Sequence, residues 1–174
     1  MANRLQLEIQ QSKPFQSLEL EAMLNLARTS DEVRRLSQEI LKPHGISITQ
    51  YNMLRILRGA GALGLTCAQI SERMITHAPD LTRLLDRLQQ RGLVAREREE
   101  QDRRVILSRI THEGLELLEL ASPALEAAPP KLFRGISKVR VRALIDALEQ
   151  IRCAVLRDRK HRASSNSASG NGAS

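Results

Sequence analysis

Tryptophan is absent from this 174-residue chain, and one tyrosine and two phenylalanines make up its aromatic complement. A core with so few aromatic residues is built mostly from Leu, Ile, Val and Ala, which suits helices better than a sandwich or barrel. The two cysteines, Cys67 and Cys153, match no metal-binding or redox spacing and cannot form a disulfide framework. A reducing cytosol is the simple reading, so a cytoplasmic location is expected. No apolar run approaches the roughly 18 residues of a membrane span. Residues 1–15 are polar and lack the apolar stretch of a signal peptide. His44, His77, His112 and His161 show no ligand spacing, so no metal or other cofactor is expected. A glycine-rich phosphate loop, a nucleophile elbow and a paired-acid constellation are all missing, which argues against an enzyme.

What is present is charge and helical periodicity. The chain carries 27 Lys/Arg against 20 Asp/Glu, a net +7. Residues 131–174 hold ten basic and three acidic residues, whereas residues 1–130 hold 17 of each. The excess is a C-terminal feature. It raises the expectation of a polyanionic partner without locating the face that meets it.

One domain is expected from the length. Residues 1–16 read as a flexible N-terminus. From Ser17, Leu18, Ala22, Leu26, Val33, Leu36 and Ile40 form an apolar helical stripe. It stops at Lys42-Pro43-His44-Gly45. Ser47 with Gln50, and Thr66 with Gln69, are capping boxes that open two further helices. His77-Ala78-Pro79-Asp80 reads as the start of the next helix, with Pro79 in its first turn and Leu81, Leu84, Leu85 and Leu88 as its buried stripe. Gly92 ends it.

Residues 93–98 and 105–110 read as strands of a hairpin, joined by the charged turn 99–104. Thr111 caps a helix carrying Leu115, Leu118, Ala121 and Leu125 inward, and Pro129-Pro130 marks its end. A last helix runs from about residue 137 to 156 with Val141, Leu144, Leu148, Ile151 and Val155 on one face. Residues 158–174, basic and then Ser/Ala/Asn/Gly-rich, read as a disordered tail.

Three helices followed by a hairpin, over residues 47–111, follow the plan of a winged helix-turn-helix. Its second motif helix fits the major groove of B-DNA. The sequence here resembles the MarR (multiple-antibiotic-resistance regulator) family. The resemblance is carried by Thr82-Arg83-Leu84-Leu85-Asp86-Arg87-Leu88, by Arg91-Gly92-Leu93-Val94, and most specifically by Asp102-Arg103-Arg104 with Ile110-Thr111 and Glu113-Gly114. It covers about residues 18–156.

The expected fold is mainly α, a winged helix-turn-helix with a β-hairpin wing and long N- and C-terminal dimerisation helices. Residues 17–46 and 112–157 would form the dimerising part, and residues 47–111 the DNA-binding unit. The implied function is a transcriptional regulator, expected to repress, that binds a pseudo-palindromic operator as a homodimer. Its partners would be double-stranded DNA, a second copy of itself and a small aromatic effector, with no membrane.

Candidate DNA contacts are His77, Pro79, Asp80, Thr82, Arg83 and Arg87 around the recognition helix, and Asp102, Arg103 and Arg104 on the wing. An ordinary solvated face is the alternative for Thr82 and Arg83. Asp80 suits either a cytosine amino group or helix capping. The resemblance makes Arg104 the minor-groove arginine and Asp102 the residue that holds its guanidinium. Glu97, Glu99 and Glu100 make the wing more acidic than that task suggests.

Tyr51 is either a core residue or an effector contact. Cys67 reads as a small core residue, since the family's oxidant-sensing cysteine lies near the start of the first helix, where this chain has none. The run 157–162 is either a phosphate-contacting segment or a solubilising tail. Competing functional readings are an architectural or non-specific DNA-binding protein using the basic C-terminal third, and a winged helix serving protein contacts alone.

Overall fold

A computed structural model describes residues 4–76, 78–99 and 102–169. Among the described residues the α-helices and strands follow in order as α1 (Arg4–Glu8), α2 (Leu18–Leu41), α3 (Ile48–Ala60), α4 (Cys67–Arg73), α5 (Leu81–Gln90), β1 (Val94–Arg98), β2 (Ile106–Ile110), α6 (His112–Leu132) and α7 (Lys138–Ser169). The chain divides into two compact units, Met1–Ala127 and Ala128–Ser174. Among the described residues no helix is long and apolar enough to cross a membrane.

Local sequence signals set the helix starts of the first unit. The Ser17 hydroxyl accepts from the Leu20 N–H at 3.1 Å and caps α2. Both capping boxes form: Ser47 with Gln50 at α3 and Thr66 with Gln69 at α4. Each satisfies two amides that would otherwise lack partners in the first turn. Thr66→Ala is expected to cost about 1 kcal/mol, read as a lowered urea midpoint with an unchanged slope; an unchanged midpoint would mean that water replaces the cap.

The core is aliphatic, as the composition requires. Leu41, Met53, Leu54, Leu57, Ile70, Leu85, Leu88 and Leu118 are fully buried together. Tyr51 joins them, its hydroxyl 2.9 Å from Ser122 Oγ. Its place is in the core, with the one polar partner that a buried tyrosine needs.

The hairpin pairs Val94 with Ile110 through Arg98 with Ile106. A third segment joins it: Leu65 and Ser108 exchange backbone hydrogen bonds of 3.0 and 2.8 Å. A single residue gives no alternation, so the sequence carries no strand signal there. Gly92 takes φ 72° after α5, as its place at the helix end predicts. Thr111 Oγ1 donates to the Gly92 carbonyl at 2.7 Å and accepts from the Gly114 N–H at 3.1 Å, which ties the end of the wing to α6.

Several boundaries differ from expectation. Residues 4–8 form a helical turn within the segment read as flexible, because Leu5 is buried to 3% exposure and Arg4 pairs with Glu8 at 3.2 Å. Helix α5 begins at Leu81 with Asp80 at the N-cap, so Pro79 lies before the helix and not in its first turn. Pro129-Pro130 does not end α6, which runs to Leu132. The proline nitrogens forfeit two donors, yet their carbonyls still accept, and Phe133 N–H donates to Pro129 at 3.0 Å.

The segment read as a disordered tail is helical as far as Ser169. Extending an existing helix needs no new nucleus. An Arg162–Asp158 pair at 2.8 Å supports the added turns. Residues 170–174 of that segment lie outside the described residues.

Candidate nucleic-acid interface

Helix α5 divides its surface sharply. Leu81, Leu85 and Leu88 are buried, and Thr82, Arg83 and Arg87 are exposed on the other side. The period of 3.6 residues produces this split, since apolar residues at four- and three-residue spacing leave the intervening positions outward. Arg83 is open, with 77% of its side chain exposed, and its Nε lies 3.2 Å from Asp80 Oδ2. Asp80 stands at the N-cap but makes no side-chain capping bond. Its carboxylate is spent on Arg83 instead. Pro79, Asp80, Arg83 and Arg87 border one shallow cleft of about 270 Å³, closed on the far side by Ser47 and Thr49 at the start of α3. His77 lies outside the described residues.

The wing set stands apart from the helix set. Asp102, Arg103 and Arg104 are all exposed at the end of the hairpin. Asp102 Oδ1 accepts from the backbone N–H of Arg104 at 3.0 Å, and its carbonyl accepts from Val105 N–H at 2.9 Å. The aspartate thus shapes the turn through the backbone; among the described residues its contact with Arg104 does not involve the guanidinium. An Asp side chain bonding to the amide two residues on is a local turn device. Arg104 borders a hollow with Thr66, Cys67, Leu85 and Arg96. Cys67 is half-buried, its Sγ 4.0 Å from Thr82 Oγ1.

Two arginines absent from the sequence-based candidates fix the wing. Arg96 of β1 pairs with Asp86 of α5, and its side chain is 18% exposed. Arg109 of β2 donates from Nη1 to Glu97 and from Nε to the Ala62 carbonyl, both at 2.7 Å. Glu97 is therefore neutralised inside the hairpin, and that part of the acidity noted in the wing is internal. Glu100 and Gln101 lie outside the described residues. Arg91, just past α5, donates to the Gly45 carbonyl at 2.7 Å. These pairings join residues 10 to 47 positions apart, a separation that no local pattern reports.

The arrangement is one outward polar helix face and one separate exposed arginine-bearing tip, held to each other through Arg96 and Asp86. It fits contact with an extended polyanion.

The sequence is similar to known regulators. The MarR family model matches residues 46–106. The organic hydroperoxide resistance transcriptional regulator of Bacillus subtilis (strain 168) is 31% identical over 126 residues, covering 71% of this chain and 81% of that protein. The crystal structure of a MarR transcription factor from Planctomyces limnophilus is 36% identical with a TM-score of 0.60, covering 79% of this chain and 99% of that one. CouR from Rhodococcus jostii RHA1, solved bound to p-coumaroyl-CoA, is 29% identical with a TM-score of 0.65, covering 79% and 95%. The chain belongs to the MarR family and is a winged helix-turn-helix, DNA-binding transcriptional regulator.

Proposed function

We propose that the protein is a cytoplasmic, non-catalytic repressor that binds a pseudo-palindromic operator as a homodimer and is released by a small aromatic effector. The observation that carries this reading is the split of α5, with Leu81, Leu85 and Leu88 inward and Thr82, Arg83 and Arg87 outward. That outer face lies in the major groove. Arg83, steadied by Asp80, reaches a base edge; Thr82, Arg87, Pro79 and His77 flank it. The wing tip lies in the adjacent minor groove, with Arg104 leading, Arg103 beside it and Asp102 shaping the turn.

Two lobes are needed because a single helix reads only a few base pairs, and paired half-sites one DNA turn apart multiply the binding. The apolar residues that α2 and α7 expose in a single chain, Leu18, Met23, Val33, Leu144, Ile145 and Ile151 among them, form the dimer seam. CouR was solved with an aromatic acyl thioester. An effector of related aromatic chemistry would act here by binding one spacing of the two lobes more tightly than the other.

Selection from a randomised duplex pool tests the reading. The expected product is an inverted repeat with half-sites about ten base pairs apart; a pool that shows no enrichment would overturn it. On the selected duplex Arg83→Ala should lose about 1–3 kcal/mol, and much less on random DNA. Equal losses on both would make Arg83 a phosphate contact. Arg104→Ala should weaken binding most where the flanks are A·T-rich, and Asp102→Ala should cost less.

A further inference from the structure

Helix α7 outlasts its apolar stripe. Val141, Leu144, Leu148, Ile151 and Val155 follow at spacings of three and four, and the next positions on that face are Asp158, Arg159 and Arg162. The helix nevertheless continues to Ser169. Residues 157–162, Arg-Asp-Arg-Lys-His-Arg, are all exposed. A helix that is polar on every side packs no core. At a rise of 1.5 Å per residue the stretch 157–169 extends about 20 Å.

Its charges are unevenly paired. Arg162 is matched by Asp158 at 2.8 Å. Among the described residues, Arg157, Arg159 and Lys160 have no acidic partner within ion-pair distance. The Ser164 and Ser165 hydroxyls donate back to the Lys160 and His161 carbonyls at 3.0 and 2.9 Å.

Residues 1–130, which contain α5 and the wing, carry no net charge. The winged unit, residues 47–111, holds 11 Lys/Arg against seven Asp/Glu, and part of that charge is matched internally: Arg83 by Asp80, Asp86 by Arg96 and Glu97 by Arg109. Summed over residues 1–130 that charge is cancelled, so this part of the chain adds little to attraction from a distance. Long-range attraction to a polyanion follows net charge, and the excess resides in residues 131–174.

We propose that the last turns of α7, led by Arg157, Arg159 and Lys160, form a cationic arm that contacts the phosphate backbone of duplex DNA independently of sequence. This rests on the DNA-binding reading and adds a division of labour: the winged unit selects the site, and the arm supplies general attraction to the duplex.

Two altered proteins test it, one ending after Leu156 and one full-length with Arg157→Gln, Arg159→Gln and Lys160→Gln. Fluorescence anisotropy on the duplex selected by the full chain, and on a random duplex of equal length, gives affinity across salt concentrations. Each lost phosphate contact should lower the slope of log K against log salt by about 0.9, so a drop of roughly two to three is expected in both proteins. Random-duplex affinity at low salt should fall at least about tenfold, with the ratio of selected to random binding unchanged or raised.

The triple-Gln protein keeps the helix length, so a deficit shared by both proteins is due to charge and not to lost assembly. An unchanged slope in both, with selected-duplex binding retained, overturns the arm and leaves the proposed operator function standing. A loss confined to the selected duplex also overturns it, since the arm would then be reading sequence. Failure of the full chain to bind any duplex retires the operator reading and the arm together.

Discussion

Gly114→Val is expected to leave no stably folded protein, and Gly114→Ala to lower stability by about 2 kcal/mol. The cause lies in the first turn of α6. A Cβ placed on Gly114 would stand 2.4 Å from the Leu93 carbonyl oxygen and 2.7 Å from Ile110 Cγ1. Neither neighbour can retreat cheaply. The Leu93 carbonyl accepts from Thr111 N–H at 3.2 Å, and Ile110 is held in register opposite Val94. Alanine is the better helix former by about 1 kcal/mol, so the strain has to exceed that gain for the sign to hold.

Gly59→Ala supplies the contrast. Gly59 also lies within a helix, but no atom stands within 4 Å of its added Cβ. There the same substitution should stabilise by about 0.5–1 kcal/mol. Urea midpoints of the two proteins, moving in opposite directions, would establish that the glycine of the Glu113-Gly114 pair is required by contact with the wing. A Gly114→Ala protein as stable as the parent would refute it.

The second large effect concerns assembly. Among its described residues helix α7 has none buried in a single chain, and Leu144, Ile145, Ile151 and Val155 are each about half exposed, at 46, 48, 48 and 48%. Full burial of such a side chain contributes about 1.5–3 kcal/mol, so covering the exposed halves of these four offers roughly 3–6 kcal/mol per protomer. Leu144→Lys with Leu148→Lys places two ammonium groups on that seam, facing the same groups of a symmetric partner. The dimer dissociation constant should rise at least about a thousandfold, a change of roughly 4 kcal/mol. Sedimentation velocity at micromolar concentration should then show monomers or insoluble protein. A parent protein that already sediments as a monomer would end the dimer proposal.

Whatever depended on neighbours a few residues apart was legible in the sequence. The capping pairs Ser47/Gln50 and Thr66/Gln69, the inward stripe of α5 and the Gly92 stop are local devices, and the structure contains each of them. The hairpin was legible to within a residue at each strand's start. What escaped was non-local. Arg96 and Arg109 look like ordinary strand charges until folding brings Asp86 and the Ala62 carbonyl against them.

The missed boundaries have different causes. Proline in a helical pattern signals a stop, because it loses a donor and crowds the carbonyl four residues back, yet near a helix end its own carbonyl can still accept, as Pro129 does from Phe133. The basic run after residue 157 was read by composition, which registers the lack of core-forming residues but not the low cost of lengthening a helix already begun. Of the proposed contact residues, Pro79, Asp80, Thr82, Arg83 and Arg87 cluster on and just before α5, and Asp102 to Arg104 at the hairpin end, as two separate groups.

The bridge between Leu65 and Ser108 makes the wing a cantilever. Its root is clamped three times, by that bridge, by Arg109 on the Ala62 carbonyl and by Arg96 on Asp86. Beyond the Arg98–Ile106 pair, among the described residues, the Asp102 turn and the Glu99–Val105 bond stiffen its free end. A beam loaded at its free end carries its largest bending moment at the root, and here the root is the part joined to α5. On the proposed operator a load on the tip would therefore be felt at the recognition helix, and the two reading elements would respond together.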